Sequence, residues 1–210
     1  MEPTSRRAGL TRQKVLRAAL DLVDRDGIEK LSMRRLGAEL GVEAMTLYHH
    51  VPNKAALLDG LVELVTSTVR PDNGGPADQW PQRLRSFAVA YRAELLRHPG
   101  VIALVATRPV RSAAALRVAE DTAAALGRAG FPPVDALRIV NSVATLVTGH
   151  CLAEAASTPG HPEQDTEDAP DLAGFPVLAA AVAGGLGTPE DHQARFELAL
   201  DALLDGLSRR

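Results

Sequence analysis

LSMRRLGAELGVEAMTLYHHVPNK, at residues 31–54, is the stretch of this 210-residue chain that decides the fold. Ser32 can cap a short helix whose apolar residues recur three and four positions apart, on one face. Gly41 follows, and glycine readily adopts the positive φ with which a helix ends sharply. A second short helix is predicted over about 44–50, with its polar and aromatic side chains projecting outward. Two short helices around a glycine turn indicate a helix-turn-helix, a motif that reads DNA.

Composition favours an all-α fold. Hydrophobic residues make up 46% of the chain but aromatic residues only 3%, so the core must consist mainly of Leu, Val and Ala. Such a core favours packed helices over a sandwich or a barrel. No apolar run reaches the length of a membrane span, the N-terminus lacks the apolar region of a signal peptide, and Cys151 has no second cysteine to bond. We therefore expect a cytoplasmic protein without a membrane partner.

Charge is divided unevenly along the chain. Residues 1–54 carry a net charge of +3 and residues 55–210 a net charge of −6, which together give the overall −3. A basic head on an acidic body suits a protein that touches phosphate at one end only. Chance is the alternative explanation, because +3 over 54 residues is a modest excess.

Helical periodicity continues on both sides of the opening stretch. Thr11 can cap a first helix that ends at Gly27, and Asn53 can cap a fourth helix that runs to about Val69. Further helices are predicted over about 79–97, 111–129, 133–156, 172–183 and 190–207, with a short element over 100–106.

Two segments are predicted to be mobile. One is the N-terminal arm, residues 1–9, and the other is an acidic, proline-containing loop, residues 157–171. We divide the chain into a head, residues 1–53, and a body, residues 54–210. The fourth helix leaves the head and enters the body, so any movement between the two must pass along it.

The segment LGVEAMTLYHHVPNKAALLDGL, residues 40–61, resembles the junction between helices 3 and 4 in the TetR family of transcriptional repressors. The likeness continues in the body. Trp80 begins the fifth predicted helix, Leu-Leu-Arg-His ends at His98, and Thr107-Arg108-Pro109 follows. In layout the chain is most similar to the tetracycline repressor class of that family. The resemblance implies a DNA-binding head and an α-helical body that binds an effector and dimerises.

The resemblance assigns DNA contacts to eight positions in the head. These are Arg34, Ala44, Met45, Thr46, Tyr48, His49, His50 and Lys54. Arg34 is long enough for a bidentate contact with guanine, and Thr46, Tyr48 and Lys54 suit phosphate oxygens. The alternative is a solvated helix face, although three successive rings on a short exposed helix favour DNA contact.

Two of these positions depart from the tetracycline repressor pattern. Ala44 stands where that class has Gln, and His49 stands where it has Trp. Alanine cannot make the bidentate adenine contact that Gln makes. We therefore expect a palindromic operator that differs from the tetracycline operator and is bound by a homodimer, with half-sites roughly one to one and a half turns of DNA apart.

The resemblance also implies an effector pocket in the body. The matching positions are Arg70, Phe87, Tyr91, Leu104, Thr107, Arg108, Pro109, Thr122, Leu137, Val140, Asn141, Ala144 and His150. Arg70 and Leu104 stand where two histidines of the tetracycline repressor hold the drug and its magnesium, and Ala153 stands where a glutamate assists the metal. Leucine cannot coordinate a hard cation. We expect a small, largely hydrophobic effector, not Mg-tetracycline, and no metal or other cofactor. For each position the alternative is plain core or surface.

Dimerisation is implied through a bundle of the helices near 133–156 and 190–207. The second of these carries an apolar stripe of Phe196, Leu200, Leu203, Leu204 and Leu207. The stripe can join such a bundle or simply cap the core of a single chain, and both uses are possible.

The sequence therefore predicts a ligand-responsive repressor in which the effector shifts residues 100–109 against the 54–69 helix and separates the two heads. An enzyme is not expected, because the chain has no G-x-S-x-G, P-loop or dinucleotide pattern and its histidines lack metal spacing. Cys151 and His150 are adjacent, and adjacent helical residues point about 100° apart. The alternative function is a DNA-binding regulator without a small-molecule effector, controlled by a protein partner.

Overall fold

The structure is a computed structural model that describes residues 9–71, 79–156 and 171–209. Within these ranges the chain forms ten α-helices, two short 3₁₀ helices and no strand. The first four helices are α1 (Arg12–Asp26), α2 (Met33–Leu40), α3 (Ala44–Leu47) and α4 (Lys54–Thr66). The body continues with α5 (Trp80–Arg97), α6 (Ile102–Thr107), α7 (Ala113–Arg128), α8 (Pro133–Ala156), α9 (Pro176–Ala183) and α10 (Pro189–Ser208).

The all-α fold is confirmed, and the predicted caps form. The side chains of Thr11, Ser32 and Asn53 each accept a hydrogen bond from the backbone N–H three residues further on, at 3.2, 3.2 and 2.8 Å. Such a bond satisfies one of the N–H groups that a helix start leaves without a partner. The two segments predicted to be mobile, residues 1–9 and 157–171, lie outside the described residues except for Gly9 and Asp171.

Three helix bounds differ from the prediction. α3 ends at Leu47 rather than near residue 50, because the backbone N–H groups of His50 and Val51 both turn back to the Leu47 carbonyl, at 2.9 Å. α4 ends at Thr66 rather than near 69. α9 begins at Pro176 rather than near 172, since proline has no N–H to donate and suits the first position of a helix.

One apolar core runs through head and body. It consists mostly of Leu, Val and Ala, as the composition predicted, and Phe87, Tyr91 and Phe196 are its buried rings. α8 is the central helix of the body and packs against α5, α6, α7 and α10. α4 packs against α1 on one side and against α5, α6 and α7 on the other. The division of the chain at residue 53 stays a prediction.

One expectation about membranes needs correction. The segment Pro133–Ala155 of α8 is long and apolar enough to cross a membrane by length and composition alone, with a mean hydropathy of 1.3. A central helix of a packed domain passes the same test. Val143, Val147 and Cys151 of this segment are fully buried in the core of the chain, so we interpret α8 as such a helix.

The apolar stripe of α10 packs into the core of its own chain. Phe196, Leu200 and Leu204 are buried, and Leu203 and Leu207 are half-buried against the same core. The stripe therefore closes the single chain, which was one of the two alternatives. Other apolar side chains of α8, α9 and α10 remain exposed, among them Val134, Leu137, Leu152, Val177, Leu178, Val182 and Leu198.

Candidate DNA-binding surface and effector cleft

The angle between α2 and α3 is set by two glycines. Gly41 ends α2 in the left-handed region, with φ at +66°, and the Val42 N–H reaches back to the Gly37 carbonyl at 2.9 Å. The turn thus folds tightly over Gly37. A Cβ at that position would lie 2.8 Å from the Val42 carbonyl oxygen and 3.2 Å from the Ala44 nitrogen, both of them backbone atoms. The turn therefore depends on a residue without a side chain at position 37.

The side chains of α3 and the turn after it divide into an inner and an outer set. Leu47 and Val51 are buried and hold this segment against the core of the head. Met45 and Tyr48 are 70% and 40% exposed, although both are large and apolar or aromatic. Exposure of such side chains on a short helix that follows a tight turn is the arrangement with which a recognition helix meets a DNA groove.

The polar side chains assigned to DNA are not held by the rest of the chain. Arg34, Tyr48, His49, His50 and Lys54 make no side-chain hydrogen bond or ion pair with any described residue. These groups are therefore available to phosphate oxygens and base edges.

Neighbouring arginines behave differently. Arg35 donates to Asp26 at 2.7 Å, and Arg25 donates to Glu39 at 3.0 and 3.2 Å and to Asp26 at 3.1 Å. These pairs tie α1 to α2 inside the head. The contrast separates Arg34, which points at no partner, from the adjacent Arg35, which contributes to the head's own structure.

A cleft of about 380 Å³ lies between α5, α6 and α8. Its lining consists of Tyr91, Val105, Ala106, Val110, Asn141, Ala144, Thr145, Thr148, Gly149 and Leu152. Phe87 stacks on Tyr91 with ring centroids 5.6 Å apart and planes 9° apart, and burial raises the pKa of the Tyr91 hydroxyl. The cleft is of the size of small-molecule sites, mostly apolar, with a few amide and hydroxyl groups.

The structure brings three of the predicted effector residues, Tyr91, Asn141 and Ala144, to this cleft. Several others bond elsewhere. Arg70 donates to the carbonyls of Ser67 and Val69 at 2.6 and 2.9 Å, at the end of α4. The hydroxyls of Thr107 and Thr122 donate to the backbone of their own helices, to Ala103 and Val118.

The remaining predicted positions have mixed surroundings. Leu104 is half-buried in α6, Val140 is buried beside Asn141, and Leu137 and Pro109 are exposed. His150 faces α10, where its Nε2 lies 2.9 Å from the His192 carbonyl oxygen. None of these four aliphatic positions or His150 lines the cleft of the described chain.

Arg108 contacts α4 instead of the cleft. It follows α6 directly, and its guanidinium donates to the Asp59 carboxylate and to the Ala55 carbonyl oxygen. Both acceptors lie in the first two turns of α4, close to Lys54. Val105 and Ala106 line one side of the cleft. Arg108, two residues further on, therefore connects that side to α4, the helix that leaves the head.

Further contacts tie the body to α1. The His98 Nδ1 lies 2.7 Å from a carboxylate oxygen of Asp24, and Gly100 packs so closely on Val23 that a Cβ would lie 2.7 Å from the Val23 side chain. Arg12 of α1 pairs with Glu63 of α4 at 2.8 Å. The head is thus joined to the body both through α4 and through the end of α5.

Two groups of residues in these contacts are not among the predicted positions. Asp59 was absent from the predicted set, because only a folded chain shows that Arg108 reaches it. His192 lies 42 positions from His150, yet the two come together with Glu154. The i, i+4 spacing of His150 and Glu154 was the one available signal, since such residues lie on the same helix face.

Cys151 is not placed for nucleophilic chemistry. Its side chain is fully buried, and burial raises the pKa of the thiol to about 12. Because the thiolate is the nucleophile, a thiol with such a pKa is inert near neutral pH.

The fold and this surface define a helix-turn-helix transcription regulator. Residues 15–61 match the family model of bacterial regulatory proteins of the tetR family, and residues 71–210 match that of the tetracyclin repressor-like C-terminal domain. The chain therefore belongs to the TetR family, which consists of transcriptional regulators and not of enzymes.

Relatives match along almost the whole chain. An HTH-type transcriptional regulator of Saccharopolyspora erythraea is 35% identical over 95% of this chain and 85% of its own length. Tetracycline repressor protein class A from transposon 1721 of Escherichia coli is 34% identical over 93% of this chain and 89% of its own length.

Solved structures agree with these sequence matches. A possible TetR family transcriptional regulator from Streptomyces coelicolor A3(2) has a TM-score of 0.81 and 35% identity, over 94% of this chain and 98% of that one. The Streptomyces coelicolor TetR family protein ActR in complex with actinorhodin has a TM-score of 0.78 and 27% identity, over 96% and 98%.

Proposed function

We propose that this chain is a ligand-responsive transcriptional repressor that binds a palindromic operator as a homodimer and is released by a small, largely hydrophobic effector. The observation that carries the proposal is the cleft beside α6, because Arg108 at the end of α6 contacts α4. An effector that binds more tightly when α6 is displaced shifts the equilibrium from the head position that binds the operator to the one that does not. TetR-family DNA-binding regulators are typically cytoplasmic, and we place this one there too.

The DNA half of the proposal rests on Arg34, Ala44, Met45, Thr46, Tyr48, His49, His50 and Lys54. Selection from random DNA, followed by footprinting, tests it. We expect an inverted repeat with half-sites roughly one to one and a half turns apart, and a sequence distinct from the tetracycline operator, since Ala44 cannot bond adenine as Gln does. A single undivided, asymmetric footprint would contradict this half of the proposal.

The effector half rests on the cleft. ActR binds actinorhodin in the matching fold, which supports a small molecule in this body as well. The stacked Phe87 and Tyr91 rings and the few polar groups at Asn141, Thr145 and Thr148 suit a flat, mostly apolar molecule that carries a carbonyl or an anionic group. Mass spectrometry of the molecule that co-purifies with the protein identifies the effector class.

A filled cleft provides the functional test. Thr145 lines the cleft and is exposed, so Thr145→Phe places a ring in the cleft without disturbing the core. Effector should then no longer release the operator, as measured by fluorescence polarisation of labelled DNA. Ala124→Phe, at an exposed position of α7 outside the cleft, is the matched control and should respond normally. An operator affinity that no small molecule changes in the unaltered protein would favour the regulator controlled by a protein partner.

Mg-tetracycline does not suit this body. Leu104 has no lone pair, and the Arg70 guanidinium is a donor only, already bonded to two carbonyls at the end of α4. Titration of tetracycline fluorescence with and without magnesium, beside the class A tetracycline repressor as a positive control, should show no magnesium-dependent binding. A micromolar, magnesium-dependent affinity would overturn this exclusion.

The homodimer is supported by the apolar side chains that α8 and α10 leave exposed, such as Val134 and Leu198, the latter 72% exposed. Burying each such side chain contributes about 1.5–3 kcal/mol. Light scattering should give twice the chain mass of 22.2 kDa. Leu198→Glu should shift the protein toward monomer, whereas Leu116→Glu on the exposed face of α7 should not. A 22.2 kDa particle for the unaltered protein would reject the dimer.

A further inference from the structure

Three metal-ligating side chains meet between α8 and α10, away from the cleft. His150 and Glu154 lie one helical turn apart on α8, and His192 lies in the first turn of α10. One ligand atom from each of the three lies within 4.8 Å of the other two. Two imidazoles and a carboxylate at this spacing are a ligand set that divalent transition metals, zinc among them, accept.

The His150 ring lies beside both partners, and its Nε2 is 3.6 Å from a Glu154 carboxylate oxygen. Its Nε2 lies 2.9 Å from the His192 carbonyl oxygen, and a carbonyl can only accept, so Nε2 carries the ring proton and Nδ1 keeps its lone pair. Metal-bound histidines commonly donate their other N–H to a backbone carbonyl in this way.

His192 contains a buried nitrogen that lacks a partner. The residue is 4% exposed, and its Nε2 has no hydrogen-bond partner among the described residues. Its Nδ1 lies 2.6 Å from an Arg195 nitrogen, which can only donate, so the ring proton lies on Nε2. A buried ring nitrogen without a partner is rare in native proteins and calls for an explanation such as an ion, which this nitrogen can bind once its proton has moved to Nδ1.

The charges around the three residues are balanced. Arg92 donates to both carboxylate oxygens of Glu154 at 2.8 Å, and Arg195 pairs with Asp191 at 3.0 Å. A carboxylate oxygen has two lone pairs, so Glu154 can keep Arg92 and bind a cation as well. The Arg195 side chain is 44% exposed and also pairs with Asp191, so it can move away from the His192 Nδ1. The ring proton of His192 can then move from Nε2 to Nδ1, which frees the Nε2 lone pair.

We propose that His150, Glu154 and His192 form a binding site for one divalent transition-metal ion per chain, with Zn²⁺ as the probe. The His150 ring, a Glu154 carboxylate oxygen and the His192 Nε2 supply the ligands. Three protein ligands leave a fourth tetrahedral position for water. The ion joins α8 to α10, and the site is separate from the effector cleft, because none of its three residues lines that cleft.

Calorimetric titration of the full chain with Zn²⁺ alone, in a buffer that does not chelate, tests the proposal. We expect one ion per chain, and a Co²⁺-loaded sample with the visible absorption of tetrahedral cobalt. His192→Gln and His150→Gln should each weaken the binding at least tenfold. His150 is the less buried of the two, so its variant serves if His192→Gln does not fold, which circular dichroism establishes.

A matched control uses two histidines of the head. His49→Gln/His50→Gln changes one exposed and one half-buried ring of the head and should leave the Zn²⁺ titration unchanged. Absence of Zn²⁺ binding by the unaltered chain would overturn the proposal. Binding that survives in both His150→Gln and His192→Gln, or that disappears in the head variant, would overturn it equally, because the ion would then lie elsewhere.

Discussion

Gly37→Ala is the substitution that most directly tests how the helix-turn-helix is built. Gly37 lies inside α2, where alanine ordinarily improves a helix by about 0.5–1 kcal/mol relative to glycine. Here a Cβ would lie 2.8 Å from the Val42 carbonyl oxygen, 3.2 Å from the Ala44 nitrogen and 3.4 Å from the Ala44 Cα. All three neighbours are backbone atoms, so no side chain can rotate to make room.

The expected magnitude follows from these two opposed effects. Overpacking a tight site costs about 1–3 kcal/mol, which exceeds the gain in helix propensity. We therefore expect Gly37→Ala to lower the free energy of unfolding by about 1–2 kcal/mol. For a chain of this length, that corresponds to a melting temperature lower by roughly 2–8 °C. Operator affinity should also fall, because the strain is relieved by moving α3 away from α2.

Gly127→Ala is the matched control. Gly127 also lies inside a helix, α7, but a Cβ there would meet nothing within 4 Å. Only the helix propensity changes, so this variant should be more stable than the unaltered protein by about 0.5–1 kcal/mol. Thermal and urea denaturation measure both variants. A Gly37→Ala protein that melts at or above the temperature of the unaltered protein, beside a stabilised Gly127→Ala, would refute the argument from backbone contact.

Three further predictions test the DNA surface, the link to α4 and the body. Arg34→Ala should weaken operator binding by roughly 1–3 kcal/mol, with little change in melting temperature. Arg35→Ala should instead lower the free energy of unfolding by the contribution of an exposed ion pair, about 0.2–1 kcal/mol. Gel-shift titration measures the first effect and thermal denaturation the second. Asp59→Asn removes the carboxylate that holds Arg108, so the loss of operator affinity caused by the effector should become smaller. An unchanged ratio of the operator affinities with and without effector would contradict the role of the Arg108–Asp59 contact. Burial lowers the pKa of His150 in the native state, so the unfolded chain binds more protons and stability should fall as the pH drops below about 6.5. Urea denaturation between about pH 5 and 7.5 should show this slope, and His150→Gln should reduce it.

The helices were predictable because their signals are local. Thr11, Ser32 and Asn53 are capping residues that bond within their own helix start, and Gly41 ends α2 by its own backbone conformation. None of these depends on a distant part of the chain. The end of α3 was predicted three residues too late, because Val51 has the apolar spacing of a helix with Leu47 but reaches the core through a turn.

The effector site was less predictable, because resemblance fixes a position on a helix but not the partner that its side chain finds. Arg70 and Arg108 are long cations, and each has acceptors nearer than the cleft: two carbonyls for Arg70 and the Asp59 carboxylate for Arg108. No local sequence pattern predicts that the His150 ring bonds to the His192 carbonyl, because this contact forms only when α10 packs against α8.

α4 is too firmly packed on α1 to slide along the head. Gly60 of α4 lies so close to Leu16 of α1 that a Cβ would be 2.4 Å from the Leu16 side chain, and Arg12 pairs with Glu63 one turn further on. A displacement of α6 that acts through Arg108 on the first turns of α4 must therefore move α1 together with α4. Since α2 is tied to α1 through the pairs that Arg25 makes, α3 moves with them. Under the proposed function, the head then turns as one rigid unit, and release from DNA requires no change inside the helix-turn-helix itself.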